Sequence, residues 1–395
     1  MNDYFAELGR TLDRRWRAAH RDEEALAPIA VEALTEMPPR DAVDPFALAR
    51  AFLEPGRAST RQLAPTGAFG QPAITVHHGQ GFVVDVYFWV NCLSAIHNHP
   101  FCGAFTLLSG HSLHSVWRYT ERARFGPRAS LGALTHQGVE LLDAGAVVPF
   151  SRVERPLIHT LMHVPRPSVS MVVRTVKALE YFRYLPPGVR LAMRDDDDVA
   201  RQLGLLAMLR ASGRDDYPDA LCDYLSASDA ETALRALFAT QVGAPRDALR
   251  DRVDAVVRAR FGDDAAVIFA ALDEAARAAE VDAVRAELTA DEDRFVASLM
   301  LCASTRAQAL SLTRQRFGDD PAARLASWPE RAGLFAPDDR APIEASRAMA
   351  RTGSLAATMA HLRETFADEF DDAMADDLAR WCRRSIYAPL VSGDG

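Results

Sequence analysis

Between about residue 60 and residue 185 the chain stops spacing its apolar residues like a helix. The runs AITVHHGQGFVVDVYFWV, GAFTLLSG, SLHSVWRYTE, VELLDAGAVVPF and SVSMVVRTV are short and rich in Val, Phe, Tyr and Trp. Gly and Pro bound them repeatedly. β-Branched and aromatic side chains suit a pleated, half-buried surface, and Gly and Pro supply the turns. Short strands at close spacing, with no long helix between them, predict a closed or sandwiched antiparallel β architecture.

On both sides of this zone helical spacing holds. DYFAELGRTLDRRW and DPFALARAFL repeat apolar residues three and four apart, so residues 1–53 are expected to form a helical segment packed on the β region. After LPPGVRLAMRDDDD, residues 199–395 read as all-α. RDALRDRVDAVVRARFG places Leu249, Val253, Val256, Val257 and Arg260 along one flank, apolar but for the last. SDAE (Ser228 to Glu231) and TADE (Thr289 to Glu292) match the capping box, in which the first hydroxyl and fourth carboxylate satisfy free backbone amides. Asp195 to Asp198 is expected to mark a solvated linker or a helix N-terminus. ARFGDDAA, QRFGDDPA and ETFADEFD echo one another at intervals of about fifty residues. That echo reads either as a degenerate helical repeat or as a helix stop followed by a new cap. The expected class is α+β: N-terminal helices, an antiparallel β-barrel over 54–190, and an all-α C-terminal domain. A length of 395 residues also exceeds what one core usually serves.

Charge and composition narrow the partners. A formal charge of -9 disfavours broad nucleic-acid binding, which needs a basic face to displace counterions. No apolar run approaches the roughly 18 to 20 residues of a membrane span. The opening MNDYFAELGRTLDRRWRAAHRDEE lacks the apolar centre of a secretory signal. Cys92, Cys102, Cys222, Cys302 and Cys382 are scattered without pairing or zinc-type spacing, which fits a reduced, cytoplasmic setting. Cys102 reads as a small core residue.

Chemistry concentrates in SAIHNHPFCGAFTLLSG, residues 94–110. Side chains alternate along a strand, so His97 and His99 face the same way and can aim two imidazoles at one point inside a barrel. Neutral imidazole nitrogens suit a first-row transition metal, and a third ligand from another strand would complete one face of an octahedron. His159 and His163 in RPLIHTLMH are the rival third ligands. Four residues along a strand span about 13 Å, so both cannot reach one ion. His114 and His136 sit on neighbouring strands as possible hydrogen-bond partners of a ligand. His77 and His78 look like part of a hairpin, with one of them facing solvent. Tyr87, Phe88 and Trp89 read as core, with one face available to line a pocket.

His97-x-His99, a strand to Gly110, then His159 on a late strand resembles the cupin superfamily over residues ~55–180. Cupins carry H-x-H, usually a Glu four or five residues on, and a closing Gly; a second motif adds one His with Asn four residues later. By motif position His159 is the third ligand. The Glu position falls here at Gly103 or Ala104, and the Asn position is His163. Loss of that Glu is similar to the three-histidine thiol dioxygenases of the cysteine dioxygenase type, which have Cys or Gly there; Gly103 takes the place, with Cys102 beside it. STRQL (Ser59 to Leu63) resembles the segment supplying their carboxylate-binding arginine, here Arg61. IHTLMHVPRPSVSMVV resembles their third-ligand strand, with Ser170 matching the serine of an outer Ser-His-Tyr relay. Val172 and Arg174 stand where that relay has His and Tyr.

The resemblance implies Fe(II), or another divalent first-row metal, held by His97, His99 and His159. It implies a dioxygenase-like oxidoreductase using dioxygen and a small carboxylate-bearing substrate, such as an amino acid, a thiol acid or a derivative. Arg61 would anchor that carboxylate. Arg174 is a second candidate anchor: if it faces inward with Ser170, its cation needs a carboxylate from the substrate or from the protein. Two other readings keep the barrel. One is a Lewis-acid isomerase or lyase, the other a non-catalytic ligand sensor whose helical domain docks a protein partner or a second copy of the chain.

Overall fold

The computed structural model describes residues 2–54, 60–63, 70–90, 95–152, 156–176, 180–194, 196–244, 247–318, 320–336 and 338–391. Four helices come first: α1 (Asn2–Ala18), α2 (Leu26–Glu36), α3 (Pro39–Ala42) and α4 (Pro45–Phe52). The strands are β1 (Ala73–His78), β2 (Phe82–Trp89), β3 (Ile96–Asn98), β4 (Gly103–Ser109), β5 (His111–Arg124) and β6 (Ala129–Asp143). They continue with β7 (Val147–Phe150), β8 (Ile158–His163), β9 (Ser168–Thr175), β10 (Phe182–Leu185) and β11 (Val189–Ala192). Helices then follow: α5 (Asp197–Ala211), α6 (Tyr217–Ala227), α7 (Ala230–Gln241), α8 (Ala248–Phe261), α9 (Ala265–Glu287) and α10 (Asp291–Cys302). The last are α11 (Arg306–Phe317), α12 (Pro321–Arg331), α13 (Arg340–Thr352), α14 (Leu355–Phe366) and α15 (Asp372–Arg384). The class is α+β, with helices at both ends and antiparallel β structure between them. Among the described residues, no helix is long and apolar enough to cross a membrane.

The strands form two sets. One is a five-stranded sheet in the order β1-β2-β9-β4-β7, and the other closes as a barrel in the order β10-β11-β6-β5-β8-β3. Two compact units divide the chain, Met1–Val116 with Gly138–Tyr181 and Trp117–Gln137 with Phe182–Gly395. The long β5–β6 hairpin therefore has its base in the first unit and its tip in the second.

Alternation along β2 explains how the first unit is built. Phe82, Val84, Val86 and Phe88 share one face and pack with Leu8, Leu12 and Trp16 of α1 and Leu26, Ala30 and Leu34 of α2. Each fully buried side chain of this kind contributes about 1.5–3 kcal/mol. Asp85, Tyr87 and Trp89 take the opposite face. There the register sets Asp85 opposite Val172 and Tyr87 opposite Ser170, while β4 sets Phe105 opposite Val172 and Leu107 opposite Ser170. Phe105, Leu107, Leu142, Phe150, Leu161 and Val172 make the apolar part of this inner face.

In the second unit, Ala129, Leu131, Val189 and Leu191 pack with Leu206, Leu221, Leu234, Leu237, Val253, Val257 and Ile268 from the helices. Two expected capping boxes are displaced. Ser228 closes α6 by donating its Oγ–H to the Tyr224 carbonyl at 2.6 Å, so Asp229 becomes the cap of α7 and accepts from the Thr232 amide. The cap position of α10 is Ala290, with no side-chain bond, and the Thr289 carbonyl instead accepts from Arg294. Asp196 caps α5 by accepting from the Val199 amide, in keeping with a helix N-terminus; Asp195 lies outside the described residues. The FGDD echoes are punctuation. Gly318, in the left-handed region at φ 74, ends α11, and Asp320 then caps α12 through the Ala322 and Ala323 amides.

Candidate metal centre

Antiparallel pairing of β3 with β8 sets His97 directly opposite His159. His99 follows two residues after His97 and so returns to the same side. The ligand-capable nitrogens of these three residues all lie within 4.8 Å of one another, and among the described residues they form a single such cluster. The Nε2 atoms of His99 and His159 are 2.9 Å apart. Two nitrogens each about 2.1 Å from a common ion and subtending about 90° would span that distance, which fits a first-row cation.

The protonation states also fit. His97 Nδ1 lies 2.9 Å from the Ala95 carbonyl, which can only accept, so Nδ1 carries the proton and Nε2 keeps its lone pair. Burial pulls His97 below the usual imidazole range, and it pulls His99 and His159 well below it, with the neighbouring rings adding to the shift. All three are thereby held neutral, the form that binds a metal. The Phe150 ring stacks on His99 at 4.4 Å, Phe101 lies 5.5 Å from it, and Phe105 lies 6.0 Å from His159. These rings give the centre an apolar surround.

Gly103 sits beside this cluster with no side chain to contribute. An added Cβ there would meet the Val173 carbonyl oxygen at 1.9 Å, because the Gly103 backbone, at φ 158, aims it at the paired β9 strand. A carboxylate cannot be built in at this position without parting the strands. Gly103→Glu is therefore expected to destabilise the protein by about 1–3 kcal/mol, the usual range for overpacking, and to leave metal affinity no higher. Urea denaturation and metal titration check both parts.

Around the centre the other polar groups have defined partners. Arg174 Nε donates to Asp85 Oδ2 at 2.8 Å, so the carboxylate its buried cation needs comes from the protein. Thr75 Oγ1 and the Tyr87 hydroxyl donate to the same carboxylate at 2.7 and 3.3 Å. The Arg174 guanidinium lies 5.1 Å over the Phe101 ring, which in turn packs on His99. Ser170 Oγ accepts from Trp89 Nε1 at 2.8 Å. Trp89 stacks on His163 at 4.6 Å, and His163 Nδ1 is 2.7 Å from Ser112 Oγ. His163 thus belongs to a packed aromatic and hydroxyl group outside the three-histidine cluster.

Arg61 is exposed, and its carbonyl lies 2.5 Å from His78 Nε2, His78 being the exposed member of the His77–His78 pair; Ser59, at the head of the same motif, lies outside the described residues. His114 bonds His159 directly, Nε2 to Nδ1 at 2.9 Å. His136 does not take that role: its Nδ1 is 3.3 Å from Gln308 Nε2, and it packs on Trp117. Cys102 is fully buried, donates to Glu24 at 3.1 Å, and has its thiol pushed up to about 12 by burial and by that carboxylate.

Two groups escaped the sequence reading, Asp85 and Glu140. Asp85 left a usable signal, as the lone charge inside the apolar strand FVVDVYFW. The sequence matches no protein-family model and no curated protein, so what this chain can do is written in these side chains.

Proposed function

We propose that the chain is a cupin-type, metal-dependent oxygenase in which His97, His99 and His159 hold Fe(II) and a small carboxylate-bearing substrate binds beside them. The observation that carries this reading is the convergence of three neutral imidazoles, two of them with Nε2 atoms 2.9 Å apart. Three protein ligands leave a first-row ion with open positions, as a catalytic rather than a structural site requires. Fe(II), when bound, would supply the electrons for dioxygen chemistry, while the protein supplies orientation and a dry cavity.

The protein's own groups divide the remaining work. Phe101, Phe105 and Phe150 keep water from the imidazoles. Arg174 is the anchor we favour for the substrate carboxylate, since Phe101 links it by ring contact to His99. Its charge is already balanced by Asp85, so selection for a carboxylate would come from the planar fork of donors rather than from net attraction. Ser170 acts by holding the Trp89 indole over His163.

The test is metal analysis of anaerobically purified protein, followed by oxygen uptake with small amino acids and thiol acids. Iron near one per chain with substrate-dependent uptake is the expected result. Turnover that persists without oxygen would replace this reading with Lewis-acid chemistry. Protein that takes up no metal from iron- and zinc-supplied medium would end it.

A further inference from the structure

His159 is the end of a chain of hydrogen bonds that begins at the surface. Glu140 Oε1 lies 2.9 Å from His114 Nδ1, and His114 Nε2 lies 2.9 Å from His159 Nδ1. The three residues come from β6, β5 and β8, which are consecutive neighbours in the barrel order. Their row is therefore set by strand register, and a slip of one residue would turn it to the other face.

The order of donors along this row is determined. A carboxylate accepts, so His114 Nδ1 carries the proton. His114 is 2% exposed, and its other nitrogen, Nε2, meets His159 Nδ1. With the single proton of the His114 ring on Nδ1, Nε2 accepts, so the His159 Nδ1–H donates to it. The lone pair of His159 is then left on Nε2, the atom that faces His99 across 2.9 Å.

We propose that Glu140 and His114 are positioning residues of the metal centre: two hydrogen bonds in series fix the tautomer of His159, making Nε2 its donor atom and strengthening it as a ligand. The proposal rests on the three-histidine centre and adds two residues that touch no metal. Partners of a ligating imidazole typically govern 10–100-fold of affinity.

Glu140 is the place to test this, because its side chain is 60% exposed and its replacement is expected to leave the fold intact. In metal-free protein, imidazole nitrogen–carbon-proton correlation spectra report each tautomer. Both His114 and His159 are expected with the proton on Nδ1. Glu140→Ala removes the acceptor, lets His114 populate the other tautomer, and weakens Co(II) binding by about 10–100-fold. Glu140→Gln retains an acceptor oxygen and is expected to restore the wild-type tautomers and most of the affinity. A proton found on Nε2 of His159 in the metal-free wild type overturns the proposal. So does Glu140→Ala with unchanged tautomers and Co(II) affinity. A wild type with the expected tautomers that binds no Co(II) removes the centre and the positioning role with it, and the spectra distinguish that failure from a failure of the relay.

Discussion

Replacing His97 with alanine is expected to abolish metal binding at the proposed three-histidine centre. His97 is 6% exposed and sits directly across the β3–β8 pair from His159, and among the described residues no fourth His, Cys, Asp or Glu joins the cluster. Two imidazoles would remain, and a two-nitrogen site holds a first-row ion far less firmly than three. The loss should exceed the 10–100-fold that removal of a ligand's hydrogen-bond partner costs. Metal content after passage over a chelating resin reads the effect directly. Thermal unfolding reads it independently, since a metal at a hundred times its Kd stabilises the native state by about 2.7 kcal/mol. That gain should appear in the wild type and be absent in His97→Ala at the same metal concentration. The metal-free variant serves as the folding control, as it forgoes the bond to the Ala95 carbonyl, about 1 kcal/mol net, together with the packing of the ring. His97→Ala that retains both the metal and the thermal gain would show that the cation, if any, sits elsewhere.

The parts of this site that were legible in the sequence are those whose geometry is local. His97 and His99 lie two apart, and a two-residue period is a property of any strand. The exclusion of a joint role for His159 and His163 needed only the rise per residue. In the structure His163 is stacked on Trp89 and bonded to Ser112. What pairing decides was not legible. Arg174 and Asp85 are separated by 89 positions and meet because β2 and β9 pair in one register and no other. Glu140 is half-lost in an alternating strand whose face could not be assigned before the β5–β6 register was known. The capping boxes failed for a different reason. Ser228 had two possible duties one residue apart, and closing α6 took precedence over opening α7.

Asp85→Ala is expected to be the most destabilising single change on the inner face of the sheet. The Asp85 side chain is 4% exposed and accepts from Arg174, Thr75 and Tyr87 at 2.8, 2.7 and 3.3 Å. Truncation leaves the Arg174 cation, itself 12% exposed, without its counter-charge, a situation that costs about 3–5 kcal/mol. The carboxylate's attraction alone does not set this figure, because much of it is the desolvation of an unpartnered guanidinium. A second substitution separates the two. Arg174→Met in the Asp85→Ala background removes the stranded charge and fills its volume, and replacement of a buried pair by apolar groups is often near neutral. Most of the lost stability should return, short of the about 1 kcal/mol that the abandoned Thr75 hydroxyl still costs. Urea midpoints for the two single variants and the double variant, at constant slope, complete the cycle. An Asp85→Ala loss below about 1 kcal/mol would place the pair in the class of solvent-screened bridges. Arg174 would then be mobile, and an arginine that mobile could not hold a carboxylate in register beside His99.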